Sequence, residues 1–241
     1  MKRALLLLLI TLAACSKVRH AGPENAAGNV ATAPVTAAPP AKPKLAQIFT
    51  QEIIGANPRY LETITGPAFK TEGSDSTYKV DGCTVIVGVS HGKIANVGIV
   101  GYGGGCSFDV GSYFAQGYPT PIPRVPTFAD LANDYGGRFT STCLADCGNA
   151  ADPEVSLEYD GSHADDFHQL LATITVADEP VLTAWRKWGD ALKARSGQDY
   201  MNKQKYNCGD NLADIAHAGF GPLKPTTSRV GLNLISHAEC D

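Results

Sequence analysis

The stretch Thr84-Val-Ile-Val-Gly-Val-Ser-His-Gly-Lys-Ile-Ala-Asn-Val-Gly-Ile-Val-Gly-Tyr102 decides the fold that the sequence predicts. β-Branched aliphatic residues recur along it, at positions 85, 87, 89, 94, 97 and 99. This alternation is typical of strands with one buried face. The connection Ser90-His91-Gly92-Lys93 is short and contains glycine, as a β-hairpin turn requires. With an extended segment from Thr77 to Val80, the stretch predicts a three-stranded antiparallel meander.

Helical segments flank this meander. Apolar residues recur at helical spacing from Leu45 to Ile54, and a second helix is predicted from Asn57-Pro58 to Gly66-Pro67. Further helices are predicted to begin at Thr127, Asp178 and Asn211, and strands at 139–142, 155–159, 167–176 and 229–236. The predicted fold class is therefore α+β, with short helices packed on antiparallel β-meanders and disulfides stapling the chain.

A short internal similarity suggests how the chain is divided. The pattern Leu61-x4-Gly66-x2-Phe69 recurs as Leu131-x4-Gly136-x2-Phe139, and in both places a short helix ends at glycine before strands begin. This favours two tandem helix-plus-sheet units, residues 45–118 and 127–241, joined by a proline-rich connector at 119–126. Chance similarity is the alternative reading of two matched triplets.

The N-terminus carries a secretion signal. Lys2 and Arg3 precede a short apolar run, which ends in Leu12-Ala13-Ala14-Cys15. A basic segment, an apolar segment and small residues are typical of a signal peptide, here residues 1–14. The Leu-x-x-Cys ending resembles the lipobox of bacterial lipoproteins, which implies cleavage before Cys15 and a lipid anchor on that residue. A plain signal peptide with a chance cysteine is the alternative.

The resemblance to lipoproteins also implies a location. Ser16 is not aspartate, so the family rule implies a cell-envelope protein that is lipid-anchored at the outer membrane and faces the periplasm. Residues 15–44 are rich in alanine and proline and hold almost no large apolar side chains, so we expect a disordered tether there.

Charge narrows the choice of partners. Residues 45–241 contain 14 Lys/Arg and 23 Asp/Glu, a net charge of −9. Proteins that bind nucleic acid need a basic surface, so we expect no nucleic-acid partner. The expected partners are the membrane, through Cys15, and another protein of the cell envelope.

Six cysteines remain when Cys15 carries lipid. Pairing between sequence neighbours predicts the disulfides Cys83–Cys106, Cys143–Cys147 and Cys208–Cys240. Six cysteines allow about 15 pairings, so other connectivities stay open. A redox or metal role for Cys143 and Cys147 is the alternative to a structural bond there.

One cluster of potential metal ligands is present, His163, Asp165 and His168. It offers the alternative of a metal-dependent hydrolase. On an extended segment, however, His168 would lie on the opposite face from the other two side chains. Polar loop residues before a strand explain the cluster as well, so we predict no catalytic residues, no metal site and no cofactor.

Residues 57–108 combine a short helix that ends at Gly66-Pro67 with a three-stranded meander whose last turn is Gly92-Lys93-Ile94. This pattern resembles the small outer-membrane lipoproteins of the SmpA/OmlA (BamE) type and the tandem units of β-lactamase inhibitor proteins. The resemblance implies a non-catalytic module for protein binding or assembly, or alternatively an inhibitor of an extracellular enzyme. Cys83, Cys106 and the C-terminal half have no counterpart in the BamE-type pattern.

The lipobox makes a direct prediction. Cys15→Ala is expected to abolish incorporation of labelled palmitate and to move the protein from the membrane fraction to the soluble fraction, because acyl chains supply the anchor. Fractionation of cells that express the variant tests this, with Ser16→Ala as the matched control. A Cys15→Ala protein that still sediments with membranes would contradict the lipid anchor.

Overall fold

The fold is described by a computed structural model that covers residues 43–102, 105–115, 125–148, 152–163, 166–209 and 211–235. The predicted signal peptide, the lipobox and nearly all of the predicted tether lie outside these residues, as does most of the predicted connector at 119–126. No helix in the described ranges is long and apolar enough to cross a membrane.

The described residues form six α-helices. They are α1 (Lys44–Ile48), α2 (Pro58–Thr65), α3 (Val110–Phe114), α4 (Phe128–Tyr135), α5 (Glu179–Asn202) and α6 (Ala213–Phe220).

Side-chain caps fix the starts of α2 and α4, the two helices that precede the meanders. The Asn57 side chain accepts a 2.9 Å hydrogen bond from Arg59 N, with Pro58 in the first turn of α2. Thr127 and Asp130 form a reciprocal capping box at the start of α4. Both helices end at a glycine, which sets the direction in which the chain enters the sheet.

Eight antiparallel strands form one continuous sheet in the order β1-β2-β3-β4-β8-β7-β6-β5. The strands are β1 (Lys70–Glu72), β2 (Asp75–Val80), β3 (Cys83–Ser90), β4 (Lys93–Val100), β5 (Arg138–Ser141), β6 (Glu154–Tyr159), β7 (Gln169–Thr175) and β8 (Thr227–Gly231). The predicted hairpin is therefore β3–β4, and the α+β fold class is confirmed.

Each half of the sheet is an antiparallel meander of four strands, one more than the sequence predicts for the first half. The last strands of the two halves, β4 and β8, pair with each other and close the sheet at its centre. In the first half β4 follows β3 through a tight turn. In the second half α5 and α6 are inserted between β7 and β8.

The repeated triplets occupy matching places up to the start of each meander. Leu61 and Leu131 are both buried, and Gly66 and Gly136 both adopt left-handed backbone, with φ of 85° and 78°. The aromatic positions differ, because Phe139 is buried and Phe69 is 55% exposed. The first copy therefore keeps the helix and its glycine end but not the buried ring.

One face of the sheet and the helices share the hydrophobic core. The strand residues on this face include Val85, Val87, Val97, Ile99, Val230, Leu170, Ala172, Val155, Leu157 and Phe139. They pack with helix residues such as Leu61, Leu131 and Trp188, and each large apolar side chain buried in this way contributes roughly 1.5–3 kcal/mol. The other face of the sheet is called the open face below.

One predicted element end is wrong, and backbone conformation explains it. The last strand was expected at 229–236 but ends at Gly231, whose φ of 134° and the φ of 56° at Asn233 turn the chain out of the sheet. The helix predicted to begin at Asp178 is interrupted at Gly197 by non-helical backbone with φ of 81°, as glycine favours, and a further helical segment runs to Asn202.

Two of the three predicted disulfides are confirmed. Cys83 is bonded to Cys106 and Cys143 to Cys147. The first bond ties the start of β3 to the segment beyond β4. Cys208 is also disulfide-bonded, and its predicted partner Cys240 lies outside the described residues.

The two described disulfides close loops of different length, with sequence separations of 23 and 4. Because loop-closure entropy grows with the logarithm of loop length, Cys83→Ala/Cys106→Ala is expected to lower the free energy of unfolding by about 3 kcal/mol and Cys143→Ala/Cys147→Ala by about 2 kcal/mol. Urea unfolding of the two double variants measures the difference. A larger loss from the shorter loop would show that native contacts outweigh loop entropy.

Candidate binding face

The open face is built from rows of side chains that run across the strands. One row comprises Lys79, Thr84, Val100, Thr227, Thr173, Ser156 and Thr140, which are matched in register from β2 to β5. Small hydroxyl side chains supply five of these seven positions. Ser156 Oγ lies 3.0 Å from Thr173 Oγ1, and Lys79 Nζ donates to Thr84 Oγ1 at 2.5 Å. This surface is polar but carries few large side chains.

A second feature of the open face is an arginine that crosses two strands. Arg229 on β8 donates from Nη1 and Nη2 to the two carboxylate oxygens of Asp75 on β2, at 2.9 Å each. Its Nε donates to Asn96 Oδ1 at 3.0 Å. The Arg229 side chain is only 17% exposed, so this bidentate pair is largely shielded from water.

Two glycines make room for this arginine. A Cβ at Gly98 would lie 2.5 Å from Arg229 Cγ, and a Cβ at Gly88 would lie 2.8 Å from Arg229 Nη2. Neither has the left-handed backbone that usually explains a glycine. Glycine inside a strand commonly marks a close approach of another group, and here the groups are the Arg229 side chain at both glycines and the Asn96 side chain at Gly88.

The chain crosses one end of the open face after β8. Gln169 Oε1 accepts hydrogen bonds from the backbone N–H groups of Leu234 and Ile235, at 2.8 and 3.2 Å. Asn96 Nδ2 donates to the carbonyl of Leu232 at 3.2 Å. Residues 232–235 are thus fixed over the sheet, where Leu234 lines two cavities of the open face.

The larger cavity, which we call the hydroxyl groove, has a volume of about 520 Å³. It lies over β5, β6 and β7. Its lining includes Arg138, Thr140, Glu154, Ser156, Glu158, Leu171, Thr173, Gln204, Asn207 and Leu234. The smaller cavity, about 340 Å³, contains Asp75, Gly88, Asn96 and Arg229.

The carboxylates of the hydroxyl groove are less fully paired than Asp75. Glu158 Oε1 accepts from Thr140 Oγ1 at 2.7 Å, whereas Glu158 Oε2 lies 3.5 Å from Arg138 Nη2. The carboxylate of Glu154 makes no hydrogen bond or ion pair with the described part of the chain. Two carboxylates face one guanidinium, so these three side chains leave the groove with a net negative charge.

The edge of the sheet beside the groove is closed. Asn207 accepts from Ser141 N and donates to Ser141 O, at 3.0 Å each, which satisfies both backbone groups on the free side of β5. Asn211 Nδ2 donates to Phe139 O at 2.7 Å. Both backbone groups of Ser141 and the carbonyl of Phe139 are therefore already bonded, which limits the addition of a partner strand at this edge.

The described members of the predicted metal cluster have different surroundings. His163 is exposed, and Asp165 lies outside the described residues. His168 is buried, and its Nδ1 lies 2.7 Å from Tyr113 Oη. No group of three or more His, Cys, Asp or Glu that could hold a metal occurs among the described residues.

His168 points inward because it continues the alternation of β7, in which Leu170 and Ala172 face the core. Asp166 and Phe167, with φ of 50° and 58°, form the turn that precedes it. Burial, followed by the negative charge of Glu52, raises the pKa of Tyr113, so its hydroxyl stays protonated at neutral pH and can donate to His168.

Of the other predicted site residues, Cys15 lies outside the described part of the chain. Cys143 and Cys147 line a separate cavity of about 470 Å³, and the Cys143 carbonyl accepts from Trp185 Nε1 at 2.8 Å. Their bond thus helps to dock the turn against α5.

The sequence did not predict a role for Arg229, Asp75 or the groove carboxylates. Gly88 and Gly98, which are glycines inside predicted strands, were the features that could have indicated a close approach of another side chain there.

The chain matches no protein-family model, no curated protein and no solved structure.

The Arg229–Asp75 pair can be tested against an exposed pair on the same sheet. Asp75→Asn is expected to lower the free energy of unfolding by about 1–3 kcal/mol, because it leaves a shielded guanidinium without its countercharge. Glu72→Gln is the matched control, since Glu72 pairs with Lys70 at 2.8 Å with both side chains more than half exposed, and it should cost less than about 0.5 kcal/mol. Urea unfolding measures both, and equal losses would contradict a special role for Arg229.

Proposed function

We propose that this chain is a non-catalytic, lipid-anchored protein of the cell envelope, and that the open face of its sheet binds another envelope protein. The observation that carries this proposal is the open face itself. It presents small hydroxyl side chains across the strands and contains two cavities, and the helices pack on the opposite face.

The physical character of the face supports binding rather than a purely structural role. A sheet face with rigidly placed hydroxyl groups and flanking charges provides directional hydrogen bonds at low side-chain entropy cost. The face is prepared in advance, because Arg229, Gln169 and Asn96 are already held by hydrogen bonds. The lipobox and the tether composition support the location, since they would place the body at a membrane with freedom to reach a partner.

A second candidate function is inhibition of an extracellular enzyme. The observation that favours it is the tandem topology, in which two helix-plus-meander halves join through β4 and β8 into one sheet. This is the arrangement that the resemblance to β-lactamase inhibitor proteins implies. A hydrolase built on His163, Asp165 and His168 receives less support, because the His168 side chain is buried against Tyr113.

Site-specific photocrosslinking tests the proposal in intact cells. A photoreactive amino acid at Thr173, in the centre of the hydroxyl groove, is expected to give a discrete crosslinked product with an envelope protein, whereas one at the exposed helix residue Lys193 is expected to give none. Mass spectrometry then identifies the crosslinked protein.

The identity of that protein separates the two candidate functions. A non-enzymatic envelope protein supports the binding module, and a secreted enzyme that loses activity when mixed one-to-one with this chain supports the inhibitor. Crosslinks of equal yield from Thr173 and Lys193, or none from Thr173, would contradict a binding role for the open face.

A further inference from the structure

The centre of the sheet relates its two halves by an approximate twofold exchange. In the β4–β8 pair, Gly98 lies directly opposite Arg229. A twofold rotation about the Gly98–Arg229 pair exchanges β4 with β8. The registers of the neighbouring strands then give the residue of the second half that corresponds to each paired residue of the first. The row Asn96, Gly88 and Asp75 in the first half corresponds to the row Thr227, Thr173 and Ser156 in the second half.

The exchange makes the two cavities of the open face counterparts. Asp75 and Gly88 line the smaller cavity, and their counterparts Ser156 and Thr173 line the hydroxyl groove. Leu171 and Leu234 border both. The molecule therefore contains two related recesses on one surface, of about 340 and 520 Å³.

The first recess contains the side chain of Arg229, and the second has no side chain at the equivalent position. Its own arginine, Arg138, comes from β5 and lies 3.5 Å from Glu158. Arg229 lies over Gly98 and Gly88 and meets Asp75 with two hydrogen bonds. Its counterpart under the exchange is Gly98, which has no side chain to send into the second half. The larger volume of the hydroxyl groove fits this difference.

The second recess nevertheless offers acceptors for a guanidinium. Glu154, Ser156 and Glu158 follow one another at every second position of β6 and so share the open face. Glu154 has no partner for its carboxylate in the described part of the chain, and Glu158 has only a 3.5 Å contact with Arg138 besides its bond from Thr140. The acidic body, with a net charge of −9 over residues 45–241, adds long-range attraction for a basic group.

From these observations we propose that the hydroxyl groove receives an arginine side chain from a basic segment of the protein partner, with Glu154 and Glu158 as the accepting carboxylates. This inference rests on the proposed function and specifies the chemistry of the partner. The bound guanidinium would lie in the recess that corresponds to the one occupied by Arg229. Ser156 stands there in the place of Asp75, and Glu154 and Glu158, on either side of Ser156, would supply the carboxylates. Arginine is favoured over lysine because its planar fork of donors meets a carboxylate with two parallel hydrogen bonds.

A binding experiment with a defined peptide tests this. Fluorescently labelled pentaarginine is titrated with the purified full-length protein, and the anisotropy gives Kd. Glu154→Gln/Glu158→Gln is expected to weaken binding about tenfold or more, because it removes charge from both acceptors while glutamine keeps an oxygen for Thr140. Pentalysine is expected to bind the unaltered protein several-fold more weakly than pentaarginine.

The matched control is Glu62→Gln/Glu179→Gln, which removes the same charge from exposed positions on α2 and at the start of α5. It is expected to change Kd less than about twofold, since screening weakens exposed charges at a distance. Equal losses from the two double variants, equal binding of pentalysine, or no binding of pentaarginine to the unaltered protein would each overturn the inference.

The result separates this inference from the proposed function. If a photoreactive group at Thr173 captures an envelope protein in cells while pentaarginine fails to bind, the open face is a binding surface but arginine is not what it selects. If the peptide binds and Glu154→Gln/Glu158→Gln also removes the crosslink made from Thr173, both stand. Urea unfolding of each variant verifies that the loss does not come from a destabilised fold.

Discussion

The pairing of β4 with β8, with Gly98 opposite Arg229, is the constraint on which the rest of the sheet depends. It is the contact that joins two four-stranded meanders into one sheet. Its side chains extend the junction, because Arg229 on β8 reaches across β4 and β3 to Asp75 and so links the second half to β2 of the first half. The two halves are therefore joined twice, by the backbone hydrogen bonds between β4 and β8 and by the shielded ion pair between Arg229 and Asp75 on the open face.

The two faces of the sheet follow different rules. The helix-facing side is filled by β-branched and aromatic residues, and the strand alternation in the sequence is the direct sign of that burial. The open face is not covered by helices, and it presents small hydroxyls, two glycines and a few charges held in fixed positions. The hydrogen bonds of Asn207 and Asn211 to the β5 edge limit strand addition there.

The predictable part of this fold is the part that local physics determines. Asn57-Pro58 and Thr127 cap helices, and alternation places the strands β2, β3, β4, β6 and β7 close to where they lie. The strand order was not predictable, since nothing local in β4 or β8 identifies the other as its partner across more than a hundred residues. The candidate face follows from that order, because Asp75 and Arg229 become neighbours only when β4 and β8 pair.

The sequence pattern of a residue is therefore a poor guide to its place in the structure when that place depends on distant strands. His163 and His168 formed the most obvious chemical cluster, yet strand alternation places His168 on the core side, with Leu170, where it contacts Tyr113. Gly88 and Gly98 gave no motif, yet they leave the space in which Arg229 lies. Because Gly98 on β4 is also the counterpart of Arg229 on β8, the same residue accommodates the Arg229 side chain and sends no side chain of its own toward the recess of the second half.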